Sequence, residues 1–165
     1  MKLVEIMEDL PIFKEFRPEE LEQILDISSS KIYQSGECLF KEGDPAKEMW
    51  IVIDGNVELR FEMPDMRPST NESTLSSHQK EIPESQVFGW SCFIPPFKMR
   101  LSAYCVSRRC QVLKINTARL NHIMTQNREI GFKIMHYLVL VLGFRFKQMQ
   151  DQVGRFMGVN MMNSW

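Results

Sequence analysis

Met49-Trp50-Ile51-Val52-Ile53-Asp54-Gly55-Asn56-Val57-Glu58-Leu59 is the stretch on which the fold class turns. Trp50 to Ile53 is a run of β-forming residues, and Val57, Leu59 and Phe61 alternate with polar neighbours as a half-buried strand does. Asp54-Gly55 lies between the two runs. A tight turn needs positive φ, which this pair tolerates, so the pattern predicts a hairpin.

The same short-strand grammar extends outward on both sides. Upstream, Ile32, Cys38 and Phe40 are strand-like positions around Ser35-Gly36, and Glu42-Gly43-Asp44-Pro45 is a turn cluster. Downstream, Leu101 to Ser107 and Gln111 to Ile115 read as two more strands. Residues 62–84 hold three prolines, many Ser and Thr and few large apolar residues, so a long mobile loop is expected there.

Helices flank this region. Leu3, Ile6, Met7 and Leu10 recur at helical spacing until Pro11. A second helix starts near Pro18, with Leu21, Ile24 and Leu25 on one face and Glu19, Glu20 and Glu22 in the first turn, where the helix dipole favours acids. Asn116 is placed to cap a helix carrying Leu120, Ile123 and Met124. The expected organisation is one domain. It comprises a helical segment (1–30), a β-barrel (31–115), C-terminal helices (116–150) and a tail (151–165).

The last helix, expected from about Arg128 to Gln150, carries Ile130, Ile134, Leu138, Val141, Leu142 and Phe146 in one wide stripe. Between Tyr137 and Phe144 nearly every face is apolar. A helix of that kind needs covering on more than one side. The chain's own barrel supplies one cover, and the same helix of a second subunit is the simplest other, which predicts a homodimer.

Bulk composition excludes several classes. The 165 residues are 44% hydrophobic and 25% charged with a net charge of −1, a soluble globular balance without the basic footprint of a nucleic-acid surface. The apolar run from Tyr137 to Phe144 falls far short of the ~20 residues that cross a bilayer. Cys38, Cys92, Cys105 and Cys110 form no C-x-x-C pair, which argues against zinc-ribbon and thioredoxin-like chemistry, and they read as small buried hydrophobes. With no export signal at Met1 to Leu10, reduced thiols in the cytoplasm are expected. No nucleophile–base pair, nucleotide-binding glycine loop or metal-ligand spacing marks an enzyme.

Three stretches, in order, resemble the cyclic-nucleotide-binding domain family, the sensor barrel of catabolite-activator-like proteins. Gly36-Glu37-Cys38-Leu39-Phe40-Lys41-Glu42-Gly43-Asp44-Pro45 is similar to the family's opening strand and turn, and Met49 to Leu59 to its central hairpin. Phe88-Gly89-Trp90-Ser91 through Arg100-Leu101-Ser102-Ala103 stands where the phosphate-binding cassette belongs. The resemblance covers about Leu10 to Gln150. It implies a double-stranded β-helix (jelly-roll) barrel with N-terminal helices and a long C-terminal helix, acting as a non-catalytic sensor. It also implies a ligand site at Gly89, Trp90, Ser91, Arg100, Leu101 and Ser102. In that site Arg100 would hold phosphate oxygens with its planar fork, beside the amides of a short helix begun at Gly89-Trp90-Ser91.

The sequence also departs from the family pattern. Trp90 replaces the glutamate of Phe-Gly-Glu, and an indole accepts no hydrogen bond from a ribose hydroxyl. Ser85 replaces a glycine, Pro95-Pro96 would end the short helix early, and Arg100 is about one residue late. The expectation is therefore a small anionic ligand of unfixed identity, a cyclic nucleotide among the candidates but with weak cAMP binding, and no certain cofactor. Trp90 is expected to fill the old pocket more readily than to wall it. Two alternatives follow: a dimeric interaction scaffold, working through a protein partner, that has lost its ligand; and a haem sensor using a residue such as His78, His122 or His136. Only about fifteen residues follow Gln150, too few for a recognition helix and its support, so direct DNA reading is not expected.

Overall fold

The computed structural model describes residues 3–62, 74–76 and 86–162. The order is α1 (Leu3–Glu8), a 3-10 turn (Pro11–Phe13), α2 (Pro18–Leu25), eight strands, then α3 (Thr117–Gln126) and α4 (Arg128–Met162). The strands are β1 (Ser28–Gln34), β2 (Cys38–Phe40), β3 (Glu48–Asp54), β4 (Asn56–Arg60), β5 (Thr74–Ser76), β6 (Val87–Phe88), β7 (Ser102–Cys105) and β8 (Arg109–Asn116). They form two antiparallel four-stranded sheets, ordered β1-β8-β3-β6 and β2-β7-β4-β5. This is the jelly-roll expected, as a flattened barrel.

The strand patterns show which faces pack. In β4 and β7, Val57 pairs with Cys105 and Leu59 with Ala103, and all four are buried. Met49 to Val52 is buried at every position, as a strand covered on both faces must be. These residues join one core with Phe13, Ile24, Leu113, Ile115 and Leu120.

The expected hairpin at Asp54-Gly55 is not one. β3 pairs with β6 and β8, whereas β4 pairs with β5 and β7, so the chain changes sheets at this turn. A register shift between Val52 and Asp54 starts the bend. Gly55 has φ +80°, and a Cβ there would lie 2.3 Å from the Arg109 carbonyl oxygen. The glycine thus serves a sheet-to-sheet corner, which asks for the same positive φ as a hairpin turn.

Two other expectations change. β5 falls within the 62–84 stretch and pairs with β4 (Val57 opposite Leu75), while residues 63–73 and 77–85, with His78, lie outside the described residues. The last helix runs on to Met162, so most of the expected 151–165 tail is helical.

Local chemistry accounts for the helix starts. Asn116 Oδ1 accepts the Arg119 N–H at 3.0 Å, and Asn127 Oδ1 accepts those of Glu129 and Ile130 at 3.1 and 3.4 Å. At α2, Glu20 accepts the Arg17 N–H at 2.8 Å. The same buried carboxylate meets Lys133 of α4 at 2.8 Å, and Arg17 bridges to Glu129 at 3.0 Å. This charged cluster pins the base of α4 to the N-terminal helices.

The apolar stripe of α4 is divided. Ile130, Ile134, Leu138 and Val141 are buried in the protomer's own core, which corrects their assignment to a dimer face. A side chain already packed inside one protomer cannot also meet a second. Leu142 and Phe146 remain exposed, together with Val139, Met149, Val153, Phe156 and Met157.

Candidate functional site

β6 delivers the chain into the site. Phe88 is fully buried and stacks on Phe40 at 5.9 Å, while Phe40 meets Trp50 at 5.3 Å. The next residue, Gly89, takes φ +73°, and a Cβ there would sit 2.7 Å from Trp50 Cδ1. Only glycine lets the backbone pass this aromatic cluster. A single 3-10 turn follows (Trp90–Phe93), then Pro95-Pro96 with a cis peptide and Phe97 at φ +56°. The short helix expected here is thus one tight turn.

Backbone hydrogen bonds lace this cassette to the Gly43–Ala46 turn. Ala46 donates to the Phe97 carbonyl at 2.9 Å, Met99 donates to that of Asp44 at 2.8 Å, and Gly43 donates to that of Met99 at 2.8 Å. The uncommon φ of Phe97 is held by these contacts on both sides.

Cassette and turn together border a cavity of about 580 Å³. Among the described residues its lining comprises the cassette's Gly89, Trp90, Ser91, Met99, Arg100 and Leu101, with Phe40, Glu42 and Gly43 from the β2 side and Leu59 and Phe61 from the β4 side. Trp90 stands half-buried in the wall, so it does not fill the space as expected. Ser91 is 8% exposed, and no hydrogen bond engages its hydroxyl among the described residues. Arg100 is exposed at the rim with no hydrogen bond or ion pair among the described residues.

Five of the six expected ligand residues thus converge, and Ser102 does not. It lies in β7 beside Ala103, whose side chain enters the core, so pleat alternation turns Ser102 to the opposite face. There its hydroxyl accepts the Glu42 N–H at 2.9 Å. Glu62 lies on the same side. The hydroxyls of Tyr104 and Ser102 hold its carboxyl below the usual carboxylate range, and the hydrogen bond to Glu62 pushes the Tyr104 hydroxyl up to about 12. Glu62 N–H in turn donates to Glu42 at 2.9 Å, which ties the end of β4 to the cavity rim.

The cavity residues that sequence reasoning missed are Phe40, Glu42, Gly43, Leu59, Phe61 and Met99. All but Met99 come from distant strands and turns brought in by the barrel. The cysteines lie elsewhere: Cys92, Cys105 and Cys110 are buried, and burial pushes the Cys92 thiol up to about 11. His136 stacks on Phe132 at 5.6 Å, and His122 borders a depression with Ile27, Ala118, Arg119 and Ile123. Among the described residues no three His, Cys, Asp or Glu side chains converge as metal ligands, and no helix is long and apolar enough to cross a membrane.

Comparison with known proteins fits this geometry. The cyclic nucleotide-binding domain family profile matches residues 30–127. Among solved structures, a candidate cyclic nucleotide-binding protein of Geobacter metallireducens is 24% identical with a TM-score of 0.71, over 88% of this chain and 99% of its own. A cyclic nucleotide-binding domain of Methylobacillus flagellatus gives 18% and 0.72, over 91% and 79%. The Thermus thermophilus catabolite activator protein gives 18% and 0.66, over 89% of this chain and 63% of its own. No curated protein matches the sequence.

Proposed function

Since the chain belongs to the cyclic nucleotide-binding domain family, we propose that it is a non-catalytic sensor. In this reading the cavity between the cassette and the Gly43–Ala46 turn receives a small ligand, and α4 carries its occupancy to a second copy of the chain. The observation that carries the reading is the open cavity itself. Its volume lies in the range of small-molecule sites, and Ser91 and Arg100 offer it polar groups without partners among the described residues. A domain retained only as a scaffold has no reason to keep that space open.

The cavity is not well matched to cAMP. Trp90 offers no acceptor to a ribose hydroxyl, and a buried hydroxyl without a partner costs ~1–3 kcal/mol, about one to two decades of affinity. Relay through α4 requires a ligand whose affinity differs between two placements of that helix.

Thermal unfolding with cAMP tests the cassette assignment. The wild-type chain should show at most a small rise in midpoint at millimolar cAMP. Trp90→Glu, which restores an acceptor at the cavity wall, should bind cAMP about tenfold more tightly and shift further at each concentration. Equal shifts in both proteins would separate residue 90 from the ligand.

A further inference from the structure

The lining of the cavity also specifies the chemistry of its occupant, an inference that rests on the sensor reading. Six of the described lining side chains are apolar: Phe40, Leu59, Phe61, Trp90, Met99 and Leu101. Three of these are aromatic. Ser91 is the one buried polar side chain among the described lining residues. The charged pair, Glu42 and Arg100, is exposed at the rim.

That distribution is unfavourable for a ribose cyclic phosphate. Its phosphate could meet Arg100 at the rim as a carboxylate would, but its sugar hydroxyls would enter an apolar space with the Ser91 side chain alone to meet them. A flat apolar body would instead replace water against Phe40, Trp90 and Leu101 and bring few polar groups of its own, with the Ser91 hydroxyl the one buried lining side chain left to meet its edge or a water. At the rim, Glu42 already accepts the Glu62 N–H, whereas Arg100 has no ion pair among the described residues. Arg100 therefore selects an anionic head, and the neighbouring Glu42 carboxylate disfavours one carrying more than a single charge.

We propose that the cavity binds a small aromatic carboxylate, with the ring among Phe40, Trp90 and Leu101 and the carboxylate paired with Arg100. The step is reversible binding, with no covalent chemistry.

Titration calorimetry of the full chain with four probes tests this: indole-3-acetate, indole-3-ethanol, octanoate and cAMP. Indole-3-acetate should bind most tightly. Indole-3-ethanol, which keeps the ring and lacks the charge, should bind about tenfold more weakly. Arg100→Gln should weaken indole-3-acetate by about the same factor and leave indole-3-ethanol unchanged. Residue 100 is exposed, so this variant should fold, and circular dichroism checks that it does. Trp90→Ala should weaken both indoles.

Tighter binding of octanoate would overturn the aromatic class. An Arg100→Gln variant with unchanged affinity for indole-3-acetate would overturn the head-group pairing. If cAMP binds more tightly than any other probe, the proposal fails while the sensor reading stands. If a correctly folded chain binds none of the four, the aromatic-carboxylate proposal fails, and the sensor reading with it only if the cavity also takes up no cyclic dinucleotide.

Discussion

Gly89 sets how close the cassette comes to the core, because its Cα hydrogen faces Trp50 where any side chain would collide. Gly89→Ala combines a left-handed backbone with a clash against a packed indole, and should cost ~1–3 kcal/mol, read as a lowered unfolding midpoint. A variant as stable as wild type would mean that the cassette backbone can retreat. This residue is legible in the sequence, since Phe-Gly-Trp-Ser is a local word whose glycine announces a special conformation. Ser102 shows the opposite case. The apolar alternation of Leu101, Ala103 and Cys105 marks the inward face of β7 and so excludes Ser102 from it. Choosing a face by family position rather than by that alternation reverses the assignment, because a one-residue shift exchanges inside for outside. Glu42 and Phe61 carry local marks of a turn and of a strand, but none that points to a cavity.

At the scale of elements, the joint between α2 and α4 is the feature most exposed to pH. Burial opposes the charge of Glu20, but hydrogen bonds from Lys133, the Arg17 amide and the Arg17 side chain outweigh it and bring its pKa from 4.5 down to about 2. A depressed carboxylate stabilises the fold fully above its unfolded value, and the contribution fades as pH falls from about 4.5 through about 2. Glu20→Gln should therefore destabilise the chain at neutral pH by roughly 3 kcal/mol, with the gap to wild type closing across that acid window. Denaturant melts at pH 7 and pH 3 check this, and a gap independent of pH would mean that packing rather than charge holds the joint. The helices themselves are readable from periodicity and from Asn116. The joint is not, because Glu20 and Lys133 are 113 residues apart and nothing local links them. The Asp54-Gly55 turn is located correctly by its sequence but misjudged in kind, since a positive φ suits a corner and a hairpin alike.

For the whole molecule, the jelly-roll and its helical ends follow from the order of strand and helix patterns, whereas the division of the α4 stripe needs the packed structure. An all-round apolar helix announces two covers without saying which residue goes to which. The exposed side, with Leu142 at 39% and Phe146 at 56% exposure, is the face a second copy would cover in the proposed dimer. Leu142→Glu with Phe146→Glu should turn a dimer into a monomer in sedimentation velocity and leave the unfolding midpoint of the protomer nearly unchanged. Ile134→Glu, placed in the core, should instead abolish folding. A wild-type chain that sediments as a monomer at micromolar concentration would remove the dimer reading. The burial of α4 as far as Val141 has one further consequence. From Val141 to Met162 the helix extends about 32 Å, so a tilt of about 5° there would sweep its far end through about 3 Å. The helix has the shape of a lever: a displacement too small to break a hydrogen bond near the barrel would become, at the tip, one nearly as wide as an atom.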